Sequence, residues 1–277
     1  MNIVGLGAAG CNIADTFAKY PQYTSYKIDV GLKGYKKNGI YAIPRKATHE
    51  EYEENCPNFK NFFKNITGRV ILATCGAGTV TGCVLRLLEQ LPDVPVSILY
   101  VKPDISLLGE IKATQEKIVY NILQEYARSG LVDRMYVISN LEVEKVLVDI
   151  PISGYYDTLN EAIVSTFHML NVFSNSEPVV GAFTEPVDSA RVSTIGIVDL
   201  EKEEEKLFFD LTTPRDRVYY YGINSESLKT DGKLFKKITN FVKSRNEENV
   251  KVSYGVFETN YEQNLAYCVN HSSLIQT

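Results

Sequence analysis

Two short glycine-rich stretches, each set between an apolar strand and a helix, constrain this chain more than any other feature. The first, Gly5-Leu-Gly-Ala-Ala-Gly10, follows the run Asn2–Leu6 and leads into a helix read over Cys11–Tyr20. The second, Gly76-Ala-Gly-Thr-Val-Thr-Gly82, follows Arg69–Cys75 and leads into a helix reaching about Leu91. Glycine lets backbone N–H groups converge on a ligand, and the first turn of a helix adds unpaired N–H groups and a positive dipole end. Phosphate is the ligand that such a device suits. Neither loop has the lysine of GxxxxGK[ST], so this is not the usual P-loop. Gly5, Gly7 and Gly10 match GxGxxG, and Asp29 lies where a dinucleotide site keeps its ribose-binding acid. Tight turns for close packing would account for one such loop equally well. A second loop, with the hydroxyls of Thr79 and Thr81, exceeds what one pyrophosphate needs and suits a nucleoside di- or triphosphate.

The rest of the first half alternates in the same way. Short strands are expected at Ser25–Val30 and Gly39–Pro44, and buried strands at Val96–Lys102 and Arg134–Asn140. A helix over Leu107–Arg128 is stopped by Gly130. Strand–helix alternation of this length predicts an α/β fold with a doubly wound parallel sheet. Tyr155–Phe173 carries two adjacent apolar stripes at helical spacing, which predicts a helix sandwiched between two bodies. Beyond it the style changes: strand-like runs at Thr194–Leu200, Lys206–Leu211, Arg217–Asn224, Val250–Glu258 and Asn264–His271 are interrupted by one helix over Leu228–Ser244. The reading is a nucleotide-binding domain at 1–154, a central helix at 155–173 and a smaller α+β domain at 174–277.

Composition narrows the classes. A formal net charge of −5 provides no field for nucleic acid or an acidic membrane, and Tyr35-Lys-Lys is too short to count as a basic run. Five cysteines without a CxxC argue against structural zinc and a disulfide framework. The three histidines form no cluster, so metal ligation by the protein is not expected. No signal peptide and no membrane-length apolar run are present, and a cytoplasmic location is expected.

At this point the chain resembles the tubulin/FtsZ family. Gly76–Gly82 keeps five of the seven residues of GGGTGTG, and Gly5-Leu-Gly-Ala-Ala-Gly-Cys-Asn12 is similar to GVGGGGGN. Tyr136-Val-Ile-Ser-Asn-Leu-Glu-Val-Glu-Lys-Val-Leu147 is similar to the family's strand ending IPNDKLLKVL. Tyr156 and Asn160 match an aromatic residue and an Asn at the start of its central helix. The closing strand, helix and strand pair resembles its activation domain. The likeness is weakest across residues 31–68 and 174–215.

The resemblance implies GTP or GDP as ligand, with Mg²⁺ held mainly by phosphates and water. It assigns nucleotide contacts to Gly7, Ala8, Ala9, Gly10, Cys11 and Asn12, to Asp29, and to Gly76, Ala77, Gly78, Thr79, Val80, Thr81 and Gly82. Tyr156 would stack on the base and Asn160 pair with its edge; a core tyrosine and a locally bonded Asn are the plainer alternative. Hydrolysis in the family is completed in trans by an NxDxxD-like loop. Here that loop is Phe183-Thr-Glu-Pro-Val-Asp188, with Glu185 and Asp188 as the catalytic carboxylates and Phe183 where the family often has Asn. The ribose-binding pair after KPF is out of register, and Glu110 and Lys112 are not assigned.

The expected function is a filament-forming GTP-binding protein whose partner is itself, head to tail, with hydrolysis at subunit contacts. A non-hydrolysing nucleotide-binding relative and a Rossmann-type NAD or FAD oxidoreductase are the alternatives. The absence of a long tail after the last strand, and the small size, resemble divergent relatives on plasmids or viruses as much as cell-division proteins.

Overall fold

The residues of β1 (Asn2–Leu6) are buried along their whole length, as a strand covered on both faces requires. The computed structural model describes residues 1–33 and 39–277; the segment Tyr35-Lys36-Lys37 lies outside them. α1 (Gly7–Phe17) leaves β1 directly through Gly7, whose φ of 74° is readily adopted only by glycine. There follow β2 (Thr24–Val30), β3 (Ile40–Ile43), α2 (His49–Glu54), α3 (Lys60–Phe63) and β4 (Val70–Thr74). The polar stretch before β4 thus holds two short helices. The first is set by Thr48, whose hydroxyl accepts the Glu51 N–H (3.2 Å), while the Glu51 carboxylate accepts the Ala47 N–H (3.0 Å).

From β4 the second glycine loop runs into a 3-10 turn, Thr79–Cys83, and then α4 (Val84–Leu88). β5 (Val96–Lys102), α5 (Glu110–Ser129), β6 (Arg134–Ser139) and α6 (Asn140–Leu147) complete the first half. α5 begins later than expected because Ile105–Leu107 forms a separate 3-10 turn capped by Asp104; it ends as expected at Gly130, which is left-handed. The strands β3-β2-β1-β4-β5-β6 lie side by side in that order, all parallel. Helices cover both faces, so the expected doubly wound α/β sheet is present.

α7 (Tyr155–Ser174) buries Leu159, Ile163, Val164, Phe167, Leu170 and Phe173, so both of its apolar stripes are covered beyond the first turn. It lies between α1 and α6 on one side and later strands on the other. These are β7 (Val180–Ala182), β8 (Val192–Asp199), β9 (Glu204–Leu207), β10 (Pro214–Asn224), β11 (Lys251–Thr259) and β12 (Leu265–Ser272). β8 pairs parallel to β6, so a single sheet continues through β8-β12-β10-β11-β7. The expected helix over 228–244 is two, α8 (Ser225–Thr230) and α9 (Leu234–Ser244). Asp231 divides them: its carboxylate accepts the N–H groups of Lys233 and Leu234 and starts the second. Among the described residues no helix is long and apolar enough to cross a membrane.

Candidate functional site

β1 and β4 are neighbours, and the chain leaves β1 toward β2 on one side and β4 toward β5 on the other. At such a reversal the loops at the carboxyl ends of the two strands separate and leave a crevice. Those loops are the two glycine stretches. Their glycines fall into two groups. A Cβ on Gly5 would overlap the Gly10 carbonyl, one on Gly10 the Ala73 carbonyl, and one on Gly82 the His49 carbonyl; these residues let elements pack closely. A Cβ on Gly76 would overlap the Tyr100 hydroxyl, to which the Gly76 N–H donates (3.2 Å). Gly7 and Gly78, in contrast, face open space. Neither α1 nor the 3-10 turn at Thr79 has a side-chain cap, which leaves first-turn N–H groups available for an anion.

The other residues of the loops divide between crevice and core. Ala8 and Asn12 are exposed, and Ala9, Ala77 and Thr79 half-buried. Cys11 points inward with its Sγ near the carbonyls of Gly5 and Ile28, and burial, reinforced by the charge of Asp29, pushes its thiol up to about 12. Val80 is core. The Thr81 hydroxyl, expected as a ligand donor, is instead buried and donates to the Gly78 carbonyl, so it shapes the loop. Asp29 ends β2 at the same edge. Its carboxylate accepts the Val30 N–H (2.8 Å), and burial raises its pKa against the opposing effects of that bond and of Arg45.

α7 brings the next residues to this edge. α1 connects the parallel neighbours β1 and β2, so it runs from the carboxyl edge of the sheet to the amino edge. α7 runs the same way. Tyr155 donates its hydroxyl to Glu144 in α6 (2.8 Å), just beyond the end of β6, whereas Phe167 packs on Tyr136 inside β6 (5.2 Å). Phe167 also meets Phe17 of α1 (5.8 Å). Ten residues earlier on each helix, ~15 Å at 1.5 Å per residue, lie Gly7 and Asp157. Tyr156 and Asn160 therefore stand level with the first turn of α1.

Tyr156 is 61% exposed, an aromatic face open to a ligand, and touches only Tyr155 among the aromatic rings described (5.2 Å). Asn160 is 8% exposed, yet its amide makes no hydrogen bond to any described residue and its polar atoms are not sealed from solvent. The locally bonded core Asn, the plainer alternative, is not what the structure contains.

No family sequence model matches the chain, and no curated protein sequence matches it. Solved structures do. A GTPγS-form protofilament of Bacillus thuringiensis serovar israelensis TubZ superimposes with a TM-score of 0.72 at 17% identity, covering 99% of this chain and 86% of that one. A helical model of the two-stranded TubZ-Bt filament gives 0.73 at 15% identity, over 99% and 84%. Empty FtsZ from M. jannaschii gives 0.69 at 14% identity, over 98% and 87%. The chain has the tubulin/FtsZ fold.

On this fold the two expected catalytic acids are far from the crevice. Glu185 and Asp188 are exposed on the loop between β7 and β8. That loop ends beside the start of β6: Val192 pairs with Met135, and the Arg134 guanidinium donates to the Ala190 carbonyl (3.0 Å). It therefore occupies the amino edge of the sheet, opposite the glycine loops. The loop is anchored, however. Phe183 stacks on Tyr220 (4.8 Å) and Phe257 (5.9 Å), the Val187 N–H donates to Asp216 (2.9 Å), and Lys251 donates to the Glu185 carbonyl. The residue that departs from the family motif is a packing residue.

Two supports of the tubulin/FtsZ-fold crevice escaped the sequence reading. Glu116 of α5 is fully buried; it accepts the Tyr100 hydroxyl (2.9 Å) and faces Lys102 (3.6 Å), so the bonded chain Gly76–Tyr100–Glu116 fixes the start of the second loop. Burial lowers the Lys102 pKa while Glu116 opposes the shift. On the loop's other flank the His49 ring lies 3.4 Å from the Thr81 hydroxyl, and burial lowers its pKa. The spacings, sixteen residues and thirty-two, show no local pattern.

Proposed function

We propose that the chain binds GTP or GDP in the crevice between its glycine loops and assembles with itself, head to tail, into a filament. The observation that carries the reading is a half-finished site. An uncapped α1, the open glycines Gly7 and Gly78, an exposed Tyr156 and an Asn160 amide without a hydrogen bond among the described residues share the carboxyl edge. A phosphate would take the free N–H groups, the Tyr156 ring could stack on a base, and the Asn160 amide offers a donor and an acceptor to its edge. In this reading Mg²⁺ would be held mainly by the nucleotide's phosphates and water. In this proposal residues 1–154 bind nucleotide, α7 transmits to the remainder, and 174–277 carries the loop that meets the next subunit.

Hydrolysis follows only if Glu185 and Asp188 of one subunit reach the crevice of another, where a carboxylate could orient the attacking water. The anchoring of Phe183 favours a second reading, a filament that binds nucleotide without fast turnover. An oxidoreductase would use the first loop alone and leave Asn160 without a role. The deciding experiment is nucleotide content of the purified chain, with calorimetry and light scattering in the presence of GTP, GDP, ATP or NAD. Guanine nucleotide bound well above ATP and NAD, with scattering that rises on GTP, is expected. NAD binding without guanine-nucleotide binding would overturn the reading.

A further inference from the structure

Behind the second glycine loop, two cysteines far apart in sequence meet. Cys83 is the last residue of the 3-10 turn, and Cys56 follows α2. The Cys56 sulfur lies 4.0 Å from the Cys83 carbonyl oxygen. Both thiols are free. The pair is asymmetric: Cys83 is fully buried against the Tyr52 carbonyl (3.3 Å), whereas Cys56 is half-buried, with the Gln90 amide 4.0 Å from its sulfur.

We propose that Cys56 and Cys83 form a reversible intramolecular disulfide, with Cys56 as the attacking thiol and a low-molecular-weight disulfide as the oxidant. Attack requires a thiolate, and the surroundings favour one at a single position. Cys56 is the more accessible of the two, contact with Cys83 lowers its pKa, and the charge of Arg86 adds to the effect. The same contact, with burial, raises the pKa of Cys83. Burial also raises Cys11, Cys75 and Cys268, which leaves them as inert thiols. A half-exposed, acidified cysteine beside a resolving partner is the arrangement found in redox-responsive thiols.

The Cys56 thiolate attacks one sulfur of oxidised glutathione, breaks its S–S bond and releases one glutathione thiolate. Cys83 then loses its proton and attacks the Cys56 sulfur of the mixed disulfide, displacing the second glutathione thiolate. One disulfide is consumed and one formed; the two protons from the protein thiols end on two molecules of glutathione. The new bond would tie the segment after α2 to the end of the second glycine loop, where Gly82 already packs beneath His49. The inference is independent of the nucleotide reading.

The test treats the full chain with oxidised glutathione at mildly alkaline pH, then counts free thiols and maps peptides by mass. Two of the five thiols should disappear into one Cys56–Cys83 cross-link within a monomer, restored by dithiothreitol. Cys83→Ser should stop at a glutathione adduct on Cys56, and Cys56→Ser should leave every remaining thiol free. A wild-type chain that stops at the adduct, cross-links between chains, or reacts first at Cys11, Cys75 or Cys268 overturns the proposal.

Discussion

Glycines that look alike in the sequence do different work here, and substitution should separate them. Gly76 borders the Tyr100 hydroxyl and Gly78 borders open space. Gly76→Val should therefore lower stability, whereas Gly78→Val should leave the unfolding midpoint nearly unchanged and abolish guanine-nucleotide binding. Calorimetry and urea unfolding of the two variants check this; loss of binding in neither, or of folding in both, contradicts the assignment. Asn160→Ala removes an amide with no hydrogen-bond partner among the described residues, so little stability should be lost. Binding should fall by ~1–3 kcal/mol if the base's polar atoms are left buried, roughly ten- to a hundredfold. Both glycine loops were legible because a strand, a glycine turn and a helix are contiguous. Which glycine touches which neighbour was not, since Tyr100 and Glu116 approach Gly76 only after β5 and α5 pack. That the Thr81 hydroxyl turns to the Gly78 carbonyl is not legible for the same reason: sequence reveals a hydroxyl but not its direction.

At the scale of elements, legibility followed local chemistry. β1 and β5 have the boundaries expected because short, mainly apolar runs of this length suit doubly covered strands. The cap Thr48-His-Glu-Glu51 was equally readable, yet α2 is a six-residue helix in an acidic stretch with little apolar periodicity. The division of α8 from α9 depends on Asp231 turning its carboxylate onto two N–H groups, a choice made by the turn conformation. The loop carrying Glu185 and Asp188 is the element with most at stake. Its departure from the family motif, Phe183, is explained by the stacked rings of Tyr220 and Phe257. Phe183→Ala should remove a half-buried ring and cost about 2 kcal/mol, somewhat under the usual penalty for a fully buried phenylalanine. Phe183→Leu should recover part of it. Urea midpoints provide the measurement, and an unchanged midpoint in Phe183→Ala would mean that the loop is not anchored through this ring.

For the whole molecule, the separation of the two candidate half-sites decides what a single subunit can do. The glycine loops lie at the carboxyl edge of the parallel strands and the acidic loop at the amino edge, so at least a strand length, ~17–20 Å, separates them. One sheet runs through both halves, and α7 is packed against α1, α6, β8 and β12, so no hinge evident in the sheet would fold one edge onto the other. In the proposed assembly a second copy, stacked edge to edge, presents Glu185 and Asp188 to its neighbour's crevice, a heterologous contact that gives an open filament where its rotation does not close. GTP turnover per subunit should then rise with protein concentration through a threshold that coincides with light scattering. Glu185→Ala combined with Asp188→Ala should leave nucleotide binding intact, because neither residue borders its own subunit's crevice. It should slow turnover, and polymers should persist longer, since removing two acids from beside a phosphate also removes repulsion. Wild type mixed with the double variant should form mosaic filaments of intermediate turnover, each competent contact needing an acidic loop from one side only. Turnover that is independent of concentration and unchanged by the double substitution would reduce the two carboxylates to surface charge and leave the crevice to work alone.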